Sequence, residues 1–152
     1  MDICACVSAE KHAKGPTVTI SMDSFQCAKE SLRIADVVVL TGKMTRVFRT
    51  SMEIGVSVER ENPLTGVSEE LARVFFSFLA QDGTTGKGLV LRGLTTVTEQ
   101  ERTDYQLGDE RRKVRFNSGN ILASTHDQSL LPTTSVCHWA GVNHIRLFLV
   151  SS

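Results

Sequence analysis

The chain has 152 residues, 17 Lys and Arg balanced by 17 Asp and Glu, and an apolar fraction of 41%. That length suits a single domain with little to spare, and the apolar share is enough for a core, which excludes disorder throughout. The balanced charge argues against a general nucleic-acid or membrane-surface binder, and no run approaches the ~18–20 apolar residues of a membrane span. Cys4, Cys6, Cys27 and Cys137 form no CxxC pair, and Met1-Asp2 opens without a basic leader. Both features point to reduced thiols in an intracellular protein.

Residues 1–13 read as a helix. Ile3, Cys4, Ala5, Cys6 and Val7 make it apolar nearly all round, so it is expected to be buried, with Glu10, Lys11 and His12 in a wetter last turn. Gly15-Pro16 stops it. Residues 17–25 alternate, Val18, Ile20 and Met22 against Thr17, Thr19 and Ser21, and read as a strand.

Three longer alternating runs follow between residues 37 and 80. Val38, Leu40, Met44 and Phe48 share one side, with a gap at Gly42. Met52, Ile54, Val56 and Val58 alternate with Glu53, Gly55, Ser57 and Glu59. Ala72, Val74, Phe76, Phe78 and Ala80 point one way, while Phe75 and Leu79 make the other face apolar too. Asn62-Pro63-Leu64-Thr65-Gly66 supplies a turn, so the runs form an antiparallel meander. At roughly ten residues or more, each run exceeds the usual ~5–6 and must twist into a coiled sheet with a concave face. The expected core is Val38, Leu40, Ile54, Val56, Val74, Phe76 and Phe78, with helix 1–13 across it. On this reading Glu53 and Glu59 face solvent.

After Asp82 the pattern lapses. Gly83-Thr84-Thr85-Gly86-Lys87-Gly88 lacks the Ser or Thr that a phosphate loop needs after its Lys, and reads as a surface connection. Thr98 and Glu101 form a capping box that opens a charged helix to about Arg115, with Asp109 and Lys113 paired on it. Beyond Asn117 only residues 145–150 look strand-like. The expected organisation is 1–82 as the main unit, 83–116 as connection and linker helix, and 117–152 as a divergent tail whose order the sequence does not decide.

Several segments together resemble the hotdog-fold acyl-CoA thioesterases. They are residues 1–13, Val18-Thr19-Ile20-Ser21-Met22-Asp23, Thr45-Arg46-Val47-Phe48, Thr50-Ser51-Met52-Glu53-Ile54 and Glu110-Arg111-Arg112-Lys113-Val114-Arg115. The nearest subfamily is the cytosolic acetyl-CoA hydrolase and brown-fat-inducible group, with two hotdog units in tandem and a lipid-binding START domain. The match covers about residues 1–115 and implies an α+β hotdog unit lacking its first strand and the start of its central helix. The function it implies is hydrolysis of acyl-CoA to free acid and CoA, in the cytoplasm or, as the second choice, the mitochondrion.

The resemblance implies that Asp2 activates water, a role suited to a carboxylate in an apolar site; as a residue type alone, Asp2 is a helix-start acid favoured by the macrodipole. The resemblance implies that oxyanion-hole donors precede this Asp, where this sequence has Met1 alone. Ile20, Ser21, Met22, Thr50, Ser51, Met52 and Lys113 match CoA-contacting positions. Without that match, the charge run 111–115 is a solvated helix face. No cofactor is implied beyond the CoA of the substrate. Cys137, His138 and His144 do not complete a zinc site, so no metal is expected. His12 is expected to cap carbonyls. The family's sites form where two units pair, and the two-sided apolarity of the 72–80 run points to a homo-oligomer or to pairing with another hotdog domain. The competing function is a non-catalytic acyl-CoA-binding or assembly module.

Overall fold

The structure is a computed structural model and describes residues 1–23, 26–27, 37–123 and 145–150. Its elements are α1 (Asp2–Ala13), β1 (Thr17–Met22), β2 (Gln26–Cys27), β3 (Val37–Val47), β4 (Ser51–Glu61), β5 (Ser68–Ala80), α2 (Glu99–Ala123) and β6 (Ile145–Val150). The sheet runs β1-β5-β4-β3-β6, with β2 also on β5, and the pairings are antiparallel. Register follows the alternation: Met44 lies opposite Ile54, and Ile54 opposite Phe76, so apolar side chains stack on one face.

Helix α1 lies on that face. Cys4, Ala5, Cys6 and Ala9 form one buried cluster with Met52, Ile54, Val56, Val74, Phe76 and Phe78. Its small side chains let the helix come close, and the gap at Gly42 is where it sits. A Cβ there would lie 2.7 Å from Ser8 Oγ and 3.1 Å from the Cys4 carbonyl oxygen. The helix ends at Lys14 in the left-handed region (φ 54°), just before Gly15-Pro16. Of the expected core, Leu40, Ile54, Val56, Val74, Phe76 and Phe78 are buried, and Val38 is partly buried against them. Ile3 departs from expectation at 64% exposure, on the side of α1 turned from the sheet.

The expected strand 17–25 ends at Met22, with a bulge between Thr19 and Ser21; positions 24 and 25 lie outside the described residues. The stretch after Asp82 is more ordered than its composition implied. Asp82 Oδ1 accepts the Thr84 and Thr85 amides (3.0 and 2.7 Å) and the Thr85 hydroxyl (3.0 Å). These bonds, the Thr85 amide first, hold the Asp82 carboxyl below its usual range. The glycine-rich loop therefore closes on its own carboxylate. Leu89, Leu91 and Leu94 then pack against the core.

Helix α2 covers the opposite face of the sheet. Its capping box is formed: the Glu101 amide donates to Thr98 Oγ1 and the Thr98 amide to Glu101 Oε2, both at 3.2 Å. The helix passes through Gly108 without a break and continues beyond the expected Arg115 to Ala123. Strand β6 pairs with β3, placing Leu147 opposite Leu40 at the sheet edge. The rest of the expected divergent tail, at 124–144 and 151–152, lies outside the described residues.

Candidate active site

Asp2 opens α1 in its first turn, where the helix dipole favours an acid. It is half-buried, and its Oδ1 accepts a hydrogen bond from the Thr19 hydroxyl of β1 at 3.3 Å. A carboxylate accepts at two oxygens, so Oδ2 is left for another partner.

From Thr19 the chain runs directly into a cavity of about 200 Å³ between the sheet and the second half of α2. Ile20 and Ser21 of β1, Ser51 and Met52 of β4, and Ser77 of β5 form its sheet side. Phe48, Arg112, Arg115 and Phe116 close it from above. Four positions drawn from two distant sequence segments, Ile20, Ser21, Ser51 and Met52, thus meet. They meet because β1 and β4 both pair with β5: Ser21 lies opposite Ser77, and Met52 opposite Phe78. Met22 and Thr50 adjoin the cavity in sequence without lining it.

Lys113 is not brought to this cavity. Its side chain is 73% exposed and pairs with Asp109 at 3.3 Å. Residues 112, 115 and 116 share the face of α2 that meets the sheet, and at ~3.6 residues per turn position 113 falls off that face. The sequence reading therefore missed the two cations that the cavity holds, Arg112 and Arg115.

It also misplaced Glu53. Alternation correctly puts Glu53 on the face opposite Met52 and Ile54, but that face is covered by α2, and Glu53 is 0% exposed. Arg111 binds it through Nη2 to Oε1 at 2.7 Å and through Nε to both oxygens at 3.2 Å. Arg115 Nη1 donates to Glu53 Oε2 at 3.0 Å and to Asp23 Oδ2 at 2.7 Å. The Thr45 hydroxyl adds a bond to Oε1 at 2.8 Å. Buried carboxylates are tolerated when paired and hydrogen-bonded, and this one is saturated. Arg111, Arg112 and Arg115 are accordingly at an interface, while Lys113 and Val114 between them stay exposed. Gly108 marks the interface in the sequence: a Cβ there would stand 2.9 Å from Arg46 Cβ and 3.1 Å from Glu53 Oε1.

Phe75, expected to await a partner, lies under the Arg111 guanidinium at 3.7 Å from its ring centre. Arg112 stacks on Phe48 at 4.0 Å, with Phe116 at 5.2 Å, and among the described residues no carboxylate pairs with it. His12 does not cap its own helix as expected; it hydrogen-bonds the carbonyl of Arg92 at 2.8 Å, far along the chain. Cys4 and Cys6 are buried in α1, and burial pushes the Cys4 thiol up, away from thiolate chemistry. Among the described residues no cluster of three His, Cys, Asp or Glu is placed to hold a metal, and Cys137, His138 and His144 lie outside those residues. Among the described residues, too, no helix is long and apolar enough to cross a membrane.

No family model matches the chain. Individual relatives do. An acetyl-coenzyme A thioesterase of Mus musculus is 37% identical over 139 residues, which make up 91% of this chain and 24% of the relative. The chain thus spans about a quarter of that relative's length. The uncharacterized acyl-CoA thioester hydrolase YkhA of Bacillus subtilis (strain 168) is 34% identical over 122 residues, 78% of this chain and 70% of the relative. Among solved structures, an apo-hexameric acyl-CoA thioesterase superposes with a TM-score of 0.71 at 33% identity, covering 78% of this chain and 74% of the other. The helix cradled in an antiparallel sheet is the hotdog fold of these enzymes, and the chain belongs to the acyl-CoA thioesterase family.

Proposed function

We propose that the chain hydrolyses acyl-CoA to a carboxylic acid and CoA, with Asp2 as general base. The observation that carries this reading is the placement of Asp2. Its carboxylate is held by Thr19, one residue before β1 enters the cavity shared with Ser51, Arg112 and Arg115. Water attacks the thioester carbonyl carbon as Asp2 takes one of its protons. The tetrahedral adduct then collapses, the C–S bond breaks, and the proton passes from Asp2 to the departing CoA sulfur. The Thr19 hydroxyl occupies Oδ1 and keeps Oδ2 directed at water. Ser21, Ser51 and Ser77 offer hydroxyls to the pantetheine amides, and Arg112 offers its guanidinium to the phosphates. CoA enters as part of the substrate, and the Asp2 carboxylate carries the proton in both directions.

Likeness to the mouse acetyl-coenzyme A thioesterase supports a short acyl group. Assembly with a second hotdog unit is supported by the hexameric relative and by Ile20 and Phe116, each more than half exposed where they line the cavity. Thiol release from acetyl-CoA and longer acyl-CoAs, measured beside sedimentation on the same sample, tests this reading. Asp2→Asn is expected to lower turnover by about 10²–10⁴, the usual contribution of a positioned base. Activity indifferent to Asp2→Asn defeats the assignment, and CoA binding without turnover identifies a binding module instead.

A further inference from the structure

We propose that Glu53 is a positioning residue for the nucleotide end of the substrate, acting by locking the 111–115 turn of α2 so that Arg112 faces the cavity. The inference rests on the CoA-binding reading above.

Glu53 is fully buried on a strand whose flanking residues, Met52 and Ile54, belong to the apolar core. A buried carboxylate is seldom the most stabilising choice, since apolar residues of similar size in place of an ion pair are often equally stable. What the ions add is direction. Glu53 grips Arg111 through both oxygens and Arg115 through one, and these residues stand one helical turn apart. Two guanidinium anchors on one turn fix both the rotation of α2 about its axis and its height along it.

Arg112 lies between the anchors, about 100° round the helix from Arg111. Its direction is therefore set by Glu53 without contact between the two. Fixed in this way, Arg112 lies over the Phe48 ring at the wall of the cavity. Charge balance assigns the ligand role to Arg112: Glu53 and Asp23 neutralise Arg111 and Arg115, whereas Arg112 has no carboxylate partner among the described residues. An anion such as a nucleotide phosphate is the partner that such a cation takes. Gly108, one turn earlier, gives α2 the close approach that this grip needs.

Steady-state kinetics with two thioesters of the same acyl group, acyl-CoA and the phosphate-free S-acyl pantetheine, test the assignment. Glu53→Gln is expected to raise KM for acyl-CoA about tenfold, the scale of one charge-assisted contact. Turnover number, and KM for the pantetheine thioester, should stay within about twofold. Arg112→Ala should give the same selective rise, and the double variant should be no worse than Arg112→Ala, because both changes remove one interaction. Glu53→Asp keeps the charge but shortens the reach; it should give a smaller selective rise, and it replaces Glu53→Gln if that variant does not fold. Equal loss on both thioesters, an unchanged KM for acyl-CoA, or additive losses in the double variant would overturn the proposal. If the wild-type protein turns over neither thioester, the hydrolase reading fails by itself. Calorimetry with CoA and with pantetheine, on the same variants, then decides the Glu53 assignment separately.

Discussion

The two faces of the sheet are covered by helices of opposite character. Helix α1 meets its face with Cys4, Ala5, Cys6 and Ala9 against Ile54, Val56, Val74 and Phe78, and comes close because Gly42 leaves room. Helix α2 meets the other face through charge. Arg46, Arg111 and Arg112 lie over Tyr105, Phe75 and Phe48 at 3.8, 3.7 and 4.0 Å, and Glu53 joins Arg111 to Arg115. Burial of apolar area is non-directional, so the α1 face supplies stability. Charged hydrogen bonds act only over a narrow range of distance and angle, so the α2 face supplies placement. The cavity lies on the second face, where direction matters.

The contrast breaks most visibly on the α1 side. Phe78→Ala removes a fully buried ring and is expected to cost about 3–5 kcal/mol in denaturant unfolding, with the same loss at low and high salt. A marked salt dependence would mean that this face is not held by apolar burial. On the α2 side, Glu53→Gln leaves Arg111 and Arg115 without their buried carboxylate. Removing one partner of a fully buried pair costs about 3–5 kcal/mol, and the partial exposure of both arginines lowers the expected loss to about 2–3 kcal/mol. A loss below about 0.5 kcal/mol would show that the ionic grip does not hold the helix.

Gly108→Ala sharpens the comparison, because two effects oppose. Ala gains about 1 kcal/mol of helix propensity over Gly, whereas a Cβ 2.9 Å from Arg46 Cβ brings an overpacking cost of about 1–3 kcal/mol. Net destabilisation of about 1 kcal/mol is expected, and a rise in melting temperature would mean that α2 sits farther from the sheet.

The smallest effect lies at the start of α2. The Val97 and Thr98 amides, in that order, and then Lys43 lower the Glu101 carboxyl from 4.5 to about 2. A group depressed on folding stabilises fully above its unfolded value, and the stabilisation fades as pH falls from about 4.5 through about 2. Hydrogen exchange at the Arg102 amide, which donates to the Thr98 carbonyl, should therefore accelerate over that window while the α1 face stays protected. Protection of that amide unchanged below the folded value would remove the capping box as the cause.

Most of the frame was legible in the residues themselves. Period-two alternation over residues 37–80 identified β3, β4, β5 and the core they share, and the small, apolar α1 announced a buried helix. The Thr98 and Glu101 capping box is a pattern of four adjacent positions, and it formed as read. Such signals depend only on neighbours in sequence. The pairing of Ser21 and Ser51 in one cavity was legible through the family motifs, but not the arginines above it.

Those arginines, and Glu53 beneath them, were decided in three dimensions. Alternation assigned Glu53 to the non-core face and was right, yet no local pattern tells whether a second helix covers that face. The partners that answer the question are 58 and 62 residues away. Likewise the run Arg111-Arg112-Lys113 offers three adjacent cations, and only the rotation of α2 selects which of them reaches the cavity. Strand faces follow from a covalent geometry that repeats every two residues, so sequence alone determines them. Helix rotation follows from contacts with a distant surface, so it exists only once the chain has folded.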